Sequence, residues 1–338
     1  MPLDIASAST VLNASKTAQT LGVKQASAFD QMLKNRLVIG IDLGGTKLLA
    51  GLADAEGNIL ASREEPTRHG PNAHVLDQIT EMAMALARES GVTVDDIAQV
   101  VIGVPSAISP QTGLGSLSPN LALPVDRPLA ALVGERLSCP IAVENDVNLA
   151  AYGEAKSVAG HDVASIVFIS FGTGVGMGLV VNGALARGAF GRAGEISYLP
   201  VGAQPHASAP TSASGLFEDL VGTTGIRQRF KLGSESVAGL FTRAIAGDAS
   251  ALEAIDVVAR DASLGLAAVQ ALIDPARIVV GGGIGAQPIF LERLRHHLVP
   301  LLPFDCPVEP SRFGVQAGLI GAVMLASHLA AARTAAAA

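Results

Sequence analysis

The sequence predicts an α/β fold built from two similar halves that face each other across a cleft. Three observations predict it. Residues 38–49 run a buried β-branched segment into Asp42, then Gly44-Gly45-Thr46, then a second apolar run. Residues 166–181 repeat that order: apolar run, Gly172-Thr173-Gly174-Val175-Gly176, apolar run. Between the two copies strand and helix signals alternate, as an α/β core requires.

Taken in order, residues 38–41 read as a buried strand that delivers Asp42 to its end. The glycines beyond it let backbone N–H groups turn inward, which suits close approach to phosphate oxygens. Gly40 and Gly45 have Walker A spacing, but Thr46-Lys47 stands where Lys-Ser/Thr is needed, and a strand follows. The pattern is a strand–turn–strand phosphate clasp, with an ordinary glycine hairpin as the alternative. The second strand runs through Leu52 to the turn Glu56-Gly57-Asn58, and residues 57–63 read as a strand end. Residues 75–90 read as a helix with apolar positions 75, 79, 82 and 86. A buried strand at 100–104 stops at Pro105-Ser106, and a Gly/Ser/Pro-rich loop leads to Pro119-Asn120. A helix over 128–137 and a strand over 141–143 follow, then Glu144-Asn145-Asp146-Val147-Asn148 and a helix over 149–158.

Glu144, Asn145 and Asp146 thus stand at the carboxyl end of a strand, where ligands collect in open α/β sheets. A carboxylate there accepts a hydrogen bond from a substrate hydroxyl and takes its proton as the oxygen attacks phosphorus. Asn145 or Asp146 equally suits a helix N-cap. Beside two phosphate clasps, catalysis by Asp146 is the favoured reading.

The Gly-rich loop from Arg187 to Gly194 closes on the carboxylate Glu195, and Glu218 follows Ser214-Gly215-Leu216-Phe217. Acids among glycine and apolar neighbours suit recognition of a polyol; each alone equally reads as a solvated glutamate. Near the end, residues 277–280 enter Gly281-Gly282-Gly283-Ile284-Gly285-Ala286, before a helical pattern over 289–298. This satisfies the dinucleotide fingerprint, with Glu309 about 20 residues on as a ribose acid. That fingerprint opens a domain of further βα units, and none follow here. A glycine run against which adenosine lies fits as well.

Composition bounds the rest. The 338 residues suffice for two domains, and hydrophobic residues reach 49% while aromatics are 4% and Trp is absent. The core is therefore small and aliphatic. Net charge is −7 with no run of Lys/Arg, which gives nucleic-acid binding no support. Residues 18–23 echo the turn of a helix-turn-helix, but too little chain precedes Leu37 for its three-helix core. Cys139 and Cys306 are isolated thiols, in keeping with a reducing cytoplasm. No segment is expected to reach the length and apolarity of a membrane span; the Ala-rich residues 317–332 read as a terminal helix packed on the body.

With these residues in hand, the chain resembles the ROK group of sugar kinases and repressors, within the actin-like, hexokinase-type ATPase fold (ribonuclease H-like, duplicated, with an interdomain cleft). The likeness runs from Leu37 to the final helix. Asp42-Leu43-Gly44-Gly45-Thr46-Lys47 is similar to the first phosphate motif, Gly172-Thr173-Gly174 to the second, and Gly281-Gly282-Gly283 to the adenosine motif. The resemblance implies Asp146 as general base and Asp42 as the residue that positions Mg²⁺, directly or through water. It implies Asn120, Asn145, Glu195 and Glu218 as sugar-holding residues. Two departures stand out. The family continues Gly-Glu-Ile-Gly-His where this chain has Gly194-Glu195-Ile196-Ser197-Tyr198, and its Cys-rich zinc loop is replaced by residues 202–210. One His and no Cys remain there, so no zinc is expected and Tyr198 offers its hydroxyl to the sugar in place of imidazole. Ser106 stands where the family usually has Gly after Gly-Val-Pro.

The expectation is an ATP- and Mg²⁺-dependent kinase phosphorylating glucose or a related hexose at C6, cytoplasmic, without nucleic-acid or membrane partners, and homodimeric by family likeness. Polyphosphate is an alternative donor. A non-catalytic sugar-sensing regulator is the alternative function. Residues 1–36 are expected to be a mobile arm or accessory helix, 37–154 the N-terminal domain and 155–338 the C-terminal domain, its last helix packing back on the first.

Overall fold

A computed structural model describes residues 37–69, 74–117, 126–157 and 165–337; Asn120 and the leading arm lie outside them. The first half contributes β1 (Leu37–Leu43), β2 (Lys47–Ala53), β3 (Ile59–Pro66), β4 (Ile97–Val104), β5 (Ala107–Ile108), β6 (Gly115–Ser116) and β7 (Ile141–Asn145). The second contributes β8 (Ser165–Phe171), β9 (Val175–Val181), β10 (Ala184–Leu185), β11 (Arg277–Gly281) and β12 (Val308–Pro310). They form two five-stranded sheets, ordered β3-β2-β1-β4-β7 and β10-β9-β8-β11-β12, plus the hairpin β5-β6. In each sheet two antiparallel pairings are followed by two parallel ones. β1 is therefore equivalent to β8, and the turn after Leu43 to the turn after Phe171. That is the duplication announced by the two glycine motifs.

The helices that matter are α1 (His74–Glu89), α2 (Leu129–Gly134), α3 (Asp146–Lys156), α4 (Leu216–Val221), α5 (Thr223–Arg229), α6 (Val237–Ile245), α7 (Ala249–Ile273), α8 (Gly282–Gly285), α9 (Pro288–Leu298) and α10 (Ala317–Ala337). Val38 to Ile41 are all buried because helices cover both faces of β1, so its sequence is a continuous apolar run without alternation. On one face Ile39 and Ile41 join Val75, Ile79, Met82 and Leu86 of α1 in a single cluster. On the other, Val38 and Val101 join Leu319, Ala322 and Val323 of α10. β3 starts at Ile59, later than the sequence predicts, because Gly57 takes the left-handed turn conformation (φ +86°) and Asp54 Oδ1 accepts from Glu56 N and Asn58 N.

α10 corrects one expectation. With the turn before it, it is long and apolar enough by composition to cross a membrane. Its apolar side is occupied by the first sheet and by α3 instead. Gly321 explains the fit: a Cβ there would lie 1.7 Å from Leu149 O, so the two helices cross with their backbones touching. Buried Glu154 of α3 accepts from Ser311 Oγ (2.6 Å) and Arg312 N (2.9 Å), which ties α3 to the segment entering α10.

Candidate active site

A cleft of about 1030 Å³ lies between the two sheets. Gly44 to Thr46 and Gly172 to Gly174 line it, together with Asn145, Asp146, Glu195, Tyr198, Glu218, Gly282 and Gly283. The fold therefore gathers residues from the whole length of the chain on one floor. Both glycine turns are tight: Gly44 N donates to Lys47 O, and Gly172 N to Gly174 O, each at 2.9 Å. Gly282 is left-handed (φ +82°), and a Cβ on it would lie 2.3 Å from Phe171 O; Gly283 would meet nothing within 4 Å. The third glycine run thus presents bare backbone beside the second turn, as close stacking of a nucleoside requires.

The ambiguity at the strand end is resolved by geometry. Asn145 is the N-cap of α3: its Oδ1 accepts from Val147 N and Asn148 N, both at 3.0 Å. Its Nδ2 donates to Ser106 O at 3.4 Å. Asp146, one residue on, accepts from Val147 N through Oδ1 at 2.8 Å, while Oδ2 has no hydrogen bond among the described residues. Burial first, and then the Asp42 carboxylate, push Asp146 up to about 7. Burial likewise lifts Asp42 to about 6, opposed by the Lys47 charge. Asp146 lines the cleft, whereas Asp42 is not among its lining residues: its carboxylate packs against Gly318 of α10, where a Cβ would lie 2.6 Å from Oδ2.

Glu195 and Glu218 are both held above the usual carboxylate range, by burial in each case. Arg192 opposes the rise at Glu195, and the Val175 N–H opposes it at Glu218. Glu218 Oε2 accepts from Val175 N at 2.9 Å, so this acid rests on the second phosphate turn. Tyr198 is 51% exposed at the rim. Ser106 is buried and donates through Oγ to Ser116 O at 2.7 Å, so its hydroxyl serves the β5-β6 hairpin. Lys47 does not join the group: its ammonium pairs with Glu64 at 2.9 Å on the neighbouring strand β3. Gly281 closes β11 as a buried strand residue against the Phe168 ring. Glu309 pairs with Arg277 (3.3 Å), and β11 is followed by the single further strand β12, which removes the dinucleotide-domain reading. Among the described residues no three His, Cys, Asp or Glu side chains gather in an arrangement that could hold a metal.

Sequence reasoning placed Glu144 and Arg187 in the right segments without giving them work. Glu144 is 4% exposed; Oε1 accepts from Asn145 N and from Asn148 Nδ2, both at 2.9 Å, and Oε2 pairs with Arg187 Nε. The pair links β7, the strand that runs into Asp146, to the segment that follows β10 in the second half. Truncating the arginine leaves a buried anion, but Arg187 is 39% exposed and water screens part of the loss. Arg187→Met is expected to cost roughly 1–2 kcal/mol in thermal or denaturant unfolding, partly recovered by adding Glu144→Gln. An unchanged melting curve for the single variant would show the pair to be idle.

Comparisons with known proteins cover nearly the whole described chain. A model of the ROK family matches residues 38–328. A glucokinase of Streptomyces coelicolor is 30% identical over 316 residues, covering 86% of this chain and 97% of its own length. An N-acetylmannosamine kinase of Escherichia coli O1:K1 / APEC is 31% identical over 294 residues, covering 85% and 97% respectively. The ROK family glucokinase from Streptomyces griseus, solved in complex with glucose and AMPPNP, superposes with a TM-score of 0.71 at 30% identity, covering 86% of this chain and 99% of its own.

Proposed function

The chain belongs to the ROK family and is a sugar kinase of the two-domain actin-like ATPase fold, and we propose that it transfers the γ-phosphoryl group of ATP to the C6 hydroxyl of glucose or a related hexose. One observation carries the reading: Asp146 stands on the cleft floor between two phosphate turns with one carboxylate oxygen unbonded and its proton affinity raised to about 7. Asp146 takes the hydroxyl proton as the sugar oxygen bonds to the γ-phosphorus. The bond from that phosphorus to the bridging oxygen breaks, and ADP leaves.

Asn145, Glu195 and Glu218 hold the ring hydroxyls in this reading, with Tyr198 at the rim and Asn120 supplied by the loop outside the described residues. The amides of Gly44, Gly45, Thr46 and of Gly172 to Gly174 cradle the phosphates, and Gly281 to Gly283 receive the adenosine. Mg²⁺ keeps most of its water and needs few protein oxygens, and the Asp42 carboxylate, at the end of β1 beside the first glycine turn, makes no hydrogen bond among the described residues and would suit that role. Asp42 would hold it, directly or through water. Bound Mg²⁺ neutralises the charge that gathers on the transferred phosphoryl group.

The reading is tested by ADP release from ATP and Mg²⁺ across a panel of hexoses and N-acetylhexosamines. Sugar-dependent release names the acceptor. Thermal stabilisation by sugars without release with any of them would make the chain a sugar-binding regulator and sink the proposal. A second expectation concerns pH. Only ionised Asp146 can accept a proton, so kcat/KM should rise with pH through about 7 and level off above it. An acid limb near the ordinary carboxylate value, around 4, would show that Asp146 is not the base or does not feel this environment.

A further inference from the structure

Each phosphate turn is held from behind by a threonine. In the first, Thr67 Oγ1 donates to Gly44 O at 2.7 Å and Thr67 N to Thr46 O at 3.0 Å. In the second, Thr223 Oγ1 donates to Gly172 O at 2.9 Å, and Thr223 N to Gly172 O at 3.1 Å and Thr173 O at 3.2 Å. Gly44 and Gly172 occupy equivalent places, each the first residue after β1 and β8. Their clamps do not. Thr67 follows β3, whereas Thr223 opens α5, far along the chain from β10, the strand equivalent to β3. A contact inherited by duplication would arise from equivalent elements; here the same contact is built twice from different ones.

The consequence is directional. All described peptide bonds are trans, and a trans peptide holds its C=O and N–H on opposite sides. A hydroxyl bound to Gly44 O therefore turns Gly45 N–H away from Thr67, and one bound to Gly172 O turns Thr173 N–H away from Thr223. Among the described residues, the N–H groups of Gly45, Thr46, Thr173 and Gly174 make no hydrogen bond, and all four residues line the cleft. Unpaired amides on a concave turn are donors waiting for an anion. Thr67 is 7% exposed, so its hydroxyl is not competing with bulk water for the carbonyl.

Resting on the kinase reading above, we propose that Thr67 and Thr223 are positioning residues: each fixes the peptide planes of one phosphate turn so that its free amides face the nucleotide, and together they set nucleotide affinity without touching the sugar. Neither threonine is a catalytic residue, since each acts through the turn it holds.

The test uses the full chain with Thr67→Val and Thr223→Val, which keep shape and remove the hydroxyl, and Thr67→Ser and Thr223→Ser, which restore it. Binding of the Mg²⁺ complex of a non-hydrolysable ATP analogue and binding of the sugar acceptor are measured by calorimetry, with steady-state kinetics and melting temperature alongside. Each valine variant is expected to weaken nucleotide binding and raise the ATP KM by roughly tenfold, the worth of one hydrogen bond. The sugar dissociation constant should stay within twofold of wild type, and serine should recover most of the loss. Valine variants with unchanged nucleotide affinity overturn the proposal. So does parallel loss of nucleotide and sugar affinity together with melting temperature, which marks a purely structural clamp. Wild-type protein that binds nucleotide but transfers no phosphoryl group to any sugar overturns the kinase reading alone, because the valine variants are still judged on nucleotide binding. Wild-type protein that does not bind nucleotide overturns both.

Discussion

Asp146→Asn is expected to lower kcat for sugar phosphorylation by roughly 10²- to 10⁴-fold, the range that a positioned general base supplies. The substitution is conservative where structure is concerned: the amide oxygen can still accept from Val147 N, and the helix cap belongs to Asn145. Sugar affinity should therefore change little, and the loss should sit in kcat. The same variant is expected to melt at a higher temperature than wild type at neutral pH. Burial raises the folded-state proton affinity of Asp146 to about 7 and of Asp42 to about 6, above the ordinary carboxylate value that the unfolded chain retains. In the intervening window the folded protein holds more protons than the unfolded chain, so stability from this pair is greatest on the acid side and falls as pH rises through the window. A neutral amide removes that liability. Kinetics, sugar calorimetry and melting curves at pH 5 and pH 8 check all three statements. Near-wild-type turnover in the variant would remove Asp146 from the mechanism, whatever the melting curves do.

The second large effect belongs to the helix crossing. Gly321→Val would place a Cβ 1.7 Å from Leu149 O, and no side-chain rotation relieves a clash with backbone. α10 must then move off α3, and with it the buried contacts of Leu319, Ala322 and Val323 with the first sheet. The expected cost is about 3 kcal/mol or more, at the upper end of overpacking penalties, and a fall in melting temperature on the order of 10 °C. Gly134→Ala is the control: its Cβ would meet only Ile141 Cγ1 at 4.0 Å, so stability should hold or rise slightly. A Gly321→Val protein that melts with wild type would mean that α10 is not packed against α3 in solution. Gly321→Ala carries the same Cβ and meets the same backbone clash, and because α3 begins at Asp146 either variant should affect activity as well as stability.

α7 is the longest described helix, 25 residues, in a segment for which no element was expected. It is Ala-, Ser- and Gly-rich and buried on several sides, so the polar–apolar contrast that marks a surface helix is weak. α10 looked too short and too small-residued to be a span, but continues to Ala337; its small residues serve backbone contact with α3. Lys47, expected with the first phosphate motif, pairs its exposed ammonium with Glu64 of the neighbouring strand. Sequence order cannot say which neighbour a flexible cationic side chain will choose.

What the chain determined by itself is the repeating grammar: a buried strand, an acid or small polar residue at its end, a glycine turn, a second strand, twice. That grammar is local, because it depends on which residues tolerate tight turns and which bury as strands; the strand order within each sheet came only from the tertiary structure. Asp146 and the three glycine runs stand out in the sequence for the same reason, and the fold brings residues of each to one cleft. Tertiary structure alone decided the contacts made at a distance. Thr67 and Thr223 hold the turns, Arg187 reaches Glu144, and Glu218 rests on Val175 N. A hydroxyl or a guanidinium reads in sequence as an ordinary polar residue. Its role follows from which unsatisfied carbonyl or buried carboxylate the folded backbone brings within hydrogen-bond reach, and that is set by packing between elements that the sequence keeps far apart.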